Sequence, residues 1–388
     1  MAATRRGFVL LGMGFAGWTL SYILRMMIPP LLPLIVEELR LSGFEAGVLM
    51  SAFFTTYALM QVPAGLLTDK VSRKSMISTC IAFSSLATLL SALALNYNQL
   101  VLARALFGLA AGAYYSPMIS MLSDAFEPKF RGRAVGFFMS GSRLGSAVAP
   151  LIGVQIAIAY GWRVAFIVCA IPGFILALAF HLFVSEPFRG SASSYSFKLI
   201  RNNFGALLFA YLIPAILMMG SMGLATFLPS YFMSSKGLSI DDAALMVSIS
   251  SLAGFAGQIF GGFLTDRIGC KKAMVLITSL TLASIFMLHV SPPAHVVLPA
   301  IFFGFISAGG AAPIITYTVE SSPESIKGLS LGIGNTTGFL GASIGSAIGG
   351  VVVDLFGYDQ LMTFIFGAYS LTCLLAIFMP VKRVDKLN

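Results

Sequence analysis

The chain has 388 residues, of which 57% are hydrophobic and only 10% charged, with a mean hydropathy of +0.91. This composition excludes a soluble enzyme core, because apolar stretches recur from end to end at about the 20 helical residues needed to cross a hydrocarbon layer. The net charge of +9 would suit an acidic partner, but the basic residues cluster in the gaps on one side, so the charge reports topology and nucleic acid is not an expected partner.

Helices are the expected spanning element, since each satisfies its own backbone in lipid. The predicted spans of the first half run Phe8–Val36, Phe44–Leu66, Ser75–Leu95, Gln99–Leu122, Ala134–Ile158 and Val164–Val184. Those of the second half run Gly205–Met233, Asp241–Leu264, Ala273–His289, Val296–Val319, Gly328–Val353 and Leu361–Met379. The first stretch is too long for a secretory core and runs on into Pro29, Pro30 and Pro33, so it reads as a span and not as a cleaved leader. Every lysine and arginine except Arg25, Arg40, Arg104, Arg143, Arg163 and Lys236 falls on one side, which places both termini in the cytoplasm.

The two halves repeat. Phe107-Gly108 and Phe303-Gly304 lie 196 residues apart, as do Pro117 and Pro313, Asp124 and Glu320, Gly136 and Gly332, Gly145 and Gly341, and Pro33 and Pro229. An offset that carries same-side loops onto one another needs an even number of helices between copies, as in parallel repeats about an axis along the membrane normal. The expected organisation is an all-α membrane protein of twelve helices in two pseudo-symmetric six-helix bundles. The first bundle takes residues 1–185, a cytoplasmic linker 186–203, and the second bundle 204–388.

Chemistry is read most directly from charge. Arg25, Arg104 and Arg143 lie inside predicted spans, whereas every acidic residue lies at a span end or in a loop. A charged side chain at mid-helix costs about 2.5–3.5 kcal/mol on insertion scales, so such residues usually face a cavity; an arginine can also bond backbone carbonyls or reach toward the interface. An anionic ligand would supply the missing partner. The 196-residue shift sends these arginines to Ser221, Ala300 and Phe339, so the positive charge belongs to the first half alone. The second half is expected to add neutral contacts from Tyr211, Ser221, Gln258, Asn335 and Thr336. Tyr57 and Gln61 lie one turn apart and could bond a hydroxylated substrate or a neighbouring helix. Tyr114 and Tyr115 lie on adjacent faces, so at most one should point inward.

Glycines repeat along the fifth and eleventh spans, as Gly145-x3-Ala149-x3-Gly153 and Gly341-x3-Gly345-x3-Gly349. Such stripes permit close helix contact and would suit surfaces that rock on one another. Asp69, Arg73, Lys74, Arg131, Arg133, Asp266, Arg267 and Glu320 border the basic loops and form the expected gate, through ion pairs or helix capping. The cysteines Cys80, Cys169, Cys270 and Cys373 match no disulfide or metal spacing, with Cys270 expected in a loop. His181, His289 and His295 lie near span ends. No phosphate loop, zinc-binding His pair or nucleophile elbow occurs, so neither enzymatic activity nor a metal or other cofactor is expected.

The segment Gly65-Leu-Leu-Thr-Asp69-Lys-Val-Ser-Arg73-Lys74 resembles the loop between the second and third helices of the major facilitator superfamily, and Gly262–Lys272 resembles its weaker copy. Arg104-Ala-Leu-Phe-Gly108 resembles the fourth-helix arginine motif of that superfamily. Within it, Tyr22-Ile-Leu-Arg25, Gly43-Phe-Glu-Ala-Gly47 and Gly161-Trp162-Arg163 resemble the anion:cation symporter group, whose members move sugar acids and related carboxylates. The resemblance implies a secondary or facilitative transporter of small organic anions, working as a monomer in a cell membrane by alternating access, with a proton or counter-anion as coupling partner. The alternative within the same architecture is a multidrug or lipid-like exporter. Where the group commonly carries acidic residues this chain has Leu24 and Ala111, so the resemblance does not extend to proton coupling at those two sites.

Overall fold

The computed structural model describes residues 5–68, 70–186, 204–323 and 326–380. Among them, twelve helical segments are long and apolar enough to cross a membrane. The first half consists of α1 (Arg5–Met26), α2 (Ile28–Leu39), α3 (Gly43–Thr68), α4 (Arg73–Leu93), α5 (Tyr97–Gly112), α6 (Tyr115–Ala125), α7 (Pro128–Tyr160) and α8 (Trp162–Phe183). The second half consists of α9 (Phe204–Lys236), α10 (Ile240–Ile268), α11 (Cys270–Val290), α12 (Val297–Ala308), α13 (Ala311–Ser321), α14 (Lys327–Phe356) and α15 (Tyr358–Phe378). The predicted linker lies outside the described residues except for Glu186.

Three of the spans are broken, and proline is the cause each time. A proline lacks an N–H and its ring crowds the carbonyl four residues earlier. Pro29 and Pro30 sit at the start of α2 and withdraw donors from the carbonyls of Arg25 and Met26, so the first span divides at Met27. Pro117 and Pro313 act likewise on the fourth and tenth spans. There the chain tightens into three-residue turns, with the Ala113 amide donating to Ala110 O at 3.3 Å and the Gly309 amide to Ile306 O at 3.0 Å. Ala113 and Gly309 are themselves 196 residues apart, so the repeat holds in backbone geometry. It holds again at Gly161 and Gly357, which open α8 and α15 at φ of 88° and 81°, a conformation that favours glycine.

Helix ends depart from expectation at two places. The fifth span begins at Pro128 and not at Ala134, because proline is pre-set for the first helical position; Arg131 and Arg133 are therefore helical. Cys270, expected in a loop, is buried as the first residue of α11, since Gly269 at φ 83° turns the chain directly from α10 into the next helix.

The glycine stripes serve cohesion within each bundle. A Cβ at Gly145 would run into Thr19 O and Tyr22 of α1, and one at Gly341 or Gly345 into the α9 backbone at Ala215 or Met219. The surface between bundles uses other residues and is closed at the end away from the chain termini. There Asp354 accepts from the amides of Gly43 and Phe44 at 2.5 and 2.8 Å, capping α3 from the opposite half. Gln155 Nε2 also donates to Asp241, in the first turn of α10, at 2.7 Å; deeper in, Ser51 Oγ donates to Ser343 O at 2.6 Å and Thr55 Oγ1 pairs with Ser343 Oγ at 2.7 Å. The motif Gly161-Trp162-Arg163 ties that same end within the first half: Trp162 Nε1 and Arg163 both donate to Glu38, and Arg163 also reaches Ala94 O.

Candidate substrate site

Between the bundles lies a cavity of about 450 Å³. The first half contributes α1, the start of α2 and α7, through Tyr22, Met26, Pro29, Pro30, Ser142, Arg143 and Ser146; the second half contributes Ser221, Gln258, Ser307, Asn335 and Phe339 among others. Arg143 is the one ionic side chain among the described residues of the wall, and no carboxylate accompanies it. Its Nε donates to Gln258 Oε1 at 3.2 Å, across the interface between halves. Arg143 reaches the cavity because the glycine face of α7 is turned onto α1, which leaves the off-stripe positions Ser142, Arg143 and Ser146 facing the second half.

Arg25 and Arg104 do not line the cavity; they lie behind its wall, at 1% and 0% exposure. The Arg25 guanidinium packs against the rings of Tyr22, Tyr57, Phe53 and Phe339, with its carbon 4.4, 4.6, 4.9 and 5.9 Å from their centroids. That of Arg104 packs on Phe107 and Phe53 at 4.6 and 5.5 Å. Nε and Nη2 of Arg25, and all three guanidinium nitrogens of Arg104, have no hydrogen-bond partner. An aromatic face gives a cation about 0.5–2 kcal/mol, which does not replace the hydrogen bonds of water or a carboxylate.

The remaining predicted contacts differ in how near they lie to the cavity. Ser221, Gln258 and Asn335 join Arg143 on the wall. Gln61 stands just behind it, donating to Gly112 O at 3.3 Å and accepting from Asn335 Nδ2 at 3.2 Å, a second bond between the halves. Tyr57 and Tyr114 are core: Tyr57 belongs to the Arg25 enclosure, and Tyr114 donates to Gly14 O at 3.0 Å while stacking on Trp18. Tyr115 contacts Met139, which does line the cavity. Tyr211 is buried beside the wall residue Ala210, and Thr336 turns back onto Gly332 O at 3.0 Å. Sequence reasoning passed over Tyr22, although it stands in the quoted Tyr22-Ile-Leu-Arg25 motif, and Phe339, although it is the repeat counterpart of Arg143.

Of the expected gate, Asp69 lies outside the described residues. Arg73 is 4% exposed and pairs inside its own half, with Asp124 at 2.7 Å and Glu186 at 3.5 Å. Arg131 donates to Phe126 O, Arg133 lies over Phe130, Arg267 over Phe263, and Glu320 accepts from Cys270 Sγ at 3.5 Å. Each of these contacts also stays within one half.

The Major Facilitator Superfamily profile matches residues 14–239 and 210–388. A hexuronate transporter of Bacillus subtilis is 27% identical across 95% of this chain and 92% of its own length. A cis,cis-muconate transport protein of Acinetobacter baylyi is 27% identical across 90% and 89%. In fold, the chain superposes on a bacterial homologue of the human lysosomal transporter Spinster, crystallised inward-facing and occupied, with a TM-score of 0.77 at 19% identity over 98% of this chain and 95% of that one. Two repeated six-helix bundles around a central cavity, together with the profile match along nearly the whole sequence, make this chain a member of the major facilitator superfamily of membrane transporters.

Proposed function

We propose that the protein carries small organic anions across the membrane by alternating access, taking the anionic group on Arg143. The observation that carries this reading is the lone guanidinium on a cavity wall without a carboxylate. It favours a negative ligand and repels a cationic one, and Gln258 already orients the guanidinium through Nε. Relatives named for hexuronate and muconate transport agree with an organic acid as cargo. The glycine stripe of α7 packs that helix on α1 and lends the exporter alternative no support.

The hydroxyls of Ser146 and Ser307 line the cavity beside those of Ser142 and Ser221, which donate to Met139 O and Met218 Sδ and can still accept, while Met26, Phe303 and Phe339 cover an apolar body. No acidic residue lies within the spans away from their ends, which supports exchange for another anion or facilitated diffusion over proton symport. By the positive-inside asymmetry, both termini face the cytoplasm of a prokaryotic cell, and the cavity opens there when the far end is shut.

The test is uptake into proteoliposomes with counterflow. Organic acids on the opposite side should accelerate uptake, a pH jump should leave it unchanged, and Arg143→Gln should lower it at least about tenfold, as expected for loss of a charge-assisted contact. Stabilisation by lipophilic cations, with no response to any organic acid, would overturn the reading.

A further inference from the structure

Arg25 is the second cation nearest the cavity, and the wall in front of it consists of two rings. Tyr22 and Phe339 both line the cavity and both contact the Arg25 guanidinium, at 4.4 and 5.9 Å from their centroids. Tyr22 belongs to the same helix as Arg25 and moves with it. Phe339 comes from α14 in the opposite half and is held by Tyr57 at 4.4 Å and Phe54 at 6.1 Å between ring centroids. The guanidinium behind it keeps two nitrogens without partners at 1% exposure, although it touches two rings that line the cavity. Phe339 is also the residue that the repeat places opposite Arg143, so the pseudo-twofold pairs a cation with an aromatic ring on the facing wall.

We infer that Phe339 is the specificity-determining residue that fixes how many cations the substrate meets. With Phe339 in place the site presents Arg143 alone and suits a monocarboxylate, whose second end rests on an aromatic and methionine-lined wall. Without it, Arg25 opens onto the same cavity, and a dicarboxylate can place one group on each arginine. Burying the second carboxylate of a dianion against the ring would strip its water with no compensating hydrogen bond, which is the physical basis of the discrimination. This inference rests on the organic-anion reading and adds the charge of the substrate to it.

The experiment measures binding by the purified full-length protein to two matched pairs, benzoate with terephthalate and glucuronate with glucarate. The wild type should prefer the singly charged member of whichever pair it binds. Phe339→Ala should shift the ratio toward the doubly charged member by about tenfold, the size expected for one added charge-assisted contact. Phe339→Leu, which keeps the plug, should leave the ratio as in the wild type, and Phe339→Ala combined with Arg25→Gln should restore it. Labelling by phenylglyoxal, read residue by residue by mass spectrometry, should reach Arg143 in both proteins and Arg25 in Phe339→Ala alone; Phe339→Val serves the same ends if the alanine variant does not fold. A wild type that prefers the dianions, or a ratio unchanged by opening position 339 while anions still bind, would overturn the role of Phe339. Absence of binding for all four acids in the wild type would instead remove the organic-anion reading.

Discussion

Asp354 offers the sharpest handle on the conformational equilibrium, because among the described residues its carboxylate is the one contact that caps a helix of the opposite half. It accepts the amides of Gly43 and Phe44 at the N-terminus of α3, at 2.5 and 2.8 Å. Hydrogen bonds to a charged group contribute about 1.5–3 kcal/mol each, and a carboxylate near a helix N-terminus about 0.3–1 kcal/mol more. Asp354 is exposed, and water takes over both amides when the halves part, so the net loss in Asp354→Ala is set near the bottom of that range, at about 1.5 kcal/mol. This corresponds to about a tenfold shift away from the state closed at the far end. Spin or fluorophore pairs placed across α3 and α14 at that end should report a larger population of long distances. Asp354→Asn, which keeps one acceptor and loses the charge, should fall between. Identical distance distributions in all three proteins would refute the assignment of this cap to closure.

Further outcomes follow from the same interface and its surroundings. Thr55→Cys with Ser343→Cys should form a disulfide under oxidation, since the native side-chain oxygens are 2.7 Å apart, and should stop transport until a reductant is added. Gly345→Val forces a side chain into the backbone of α9 at Met219 and should lower the melting temperature by several degrees with loss of folded yield, whereas Gly136→Ala, where a Cβ meets open space, should leave it unchanged. Arg73→Gln removes a charged partner of Asp124 and Glu186 within one half, so thermal stability should fall more than the far-end distance distribution changes.

How much of this was legible in the sequence differs between scaffold and site. Hydropathy, the basic loops and the 196-residue offset suffice for twelve spans in two repeated bundles, because lipid leaves the backbone few alternatives. The site depends on helix rotation, which periodicity alone does not determine in spans that are apolar all round. Arg143 shows the difference: it lies off the glycine stripe, and because the stripe packs on α1, Arg143 is turned toward the second half. Arg25 and Arg104 were visible as cations without carboxylates; the Arg104 guanidinium has no hydrogen-bond partner and two of the three guanidinium nitrogens of Arg25 have none, but the rings that enclose them come from α1, α3, α5 and α14 and are not adjacent in sequence. The stripes likewise signalled close contact without naming the partner helix, and each proved to be a neighbour in the same bundle.

The contacts between the halves are graded in depth, and the grading bears on when Arg25 can meet water. Charge-assisted capping by Asp354 lies at the rim, hydroxyl contacts of Ser51 and Thr55 with Ser343 lie below it, and the Tyr57–Phe339 ring pair and Gln61–Asn335 bond lie deepest. Because α3 and α14 are continuous helices, a rocking motion that parts their far ends separates the rim most and the deep ring pair least. The rim bonds must therefore break before Phe339 leaves Tyr57, and partial opening would expose the polar upper contacts while the guanidinium stays covered. The Tyr57–Phe339 pair thus keeps Arg25 covered while the rim opens, in keeping with the proposal that Arg143, which faces the cavity in the present state, is the cation a substrate meets.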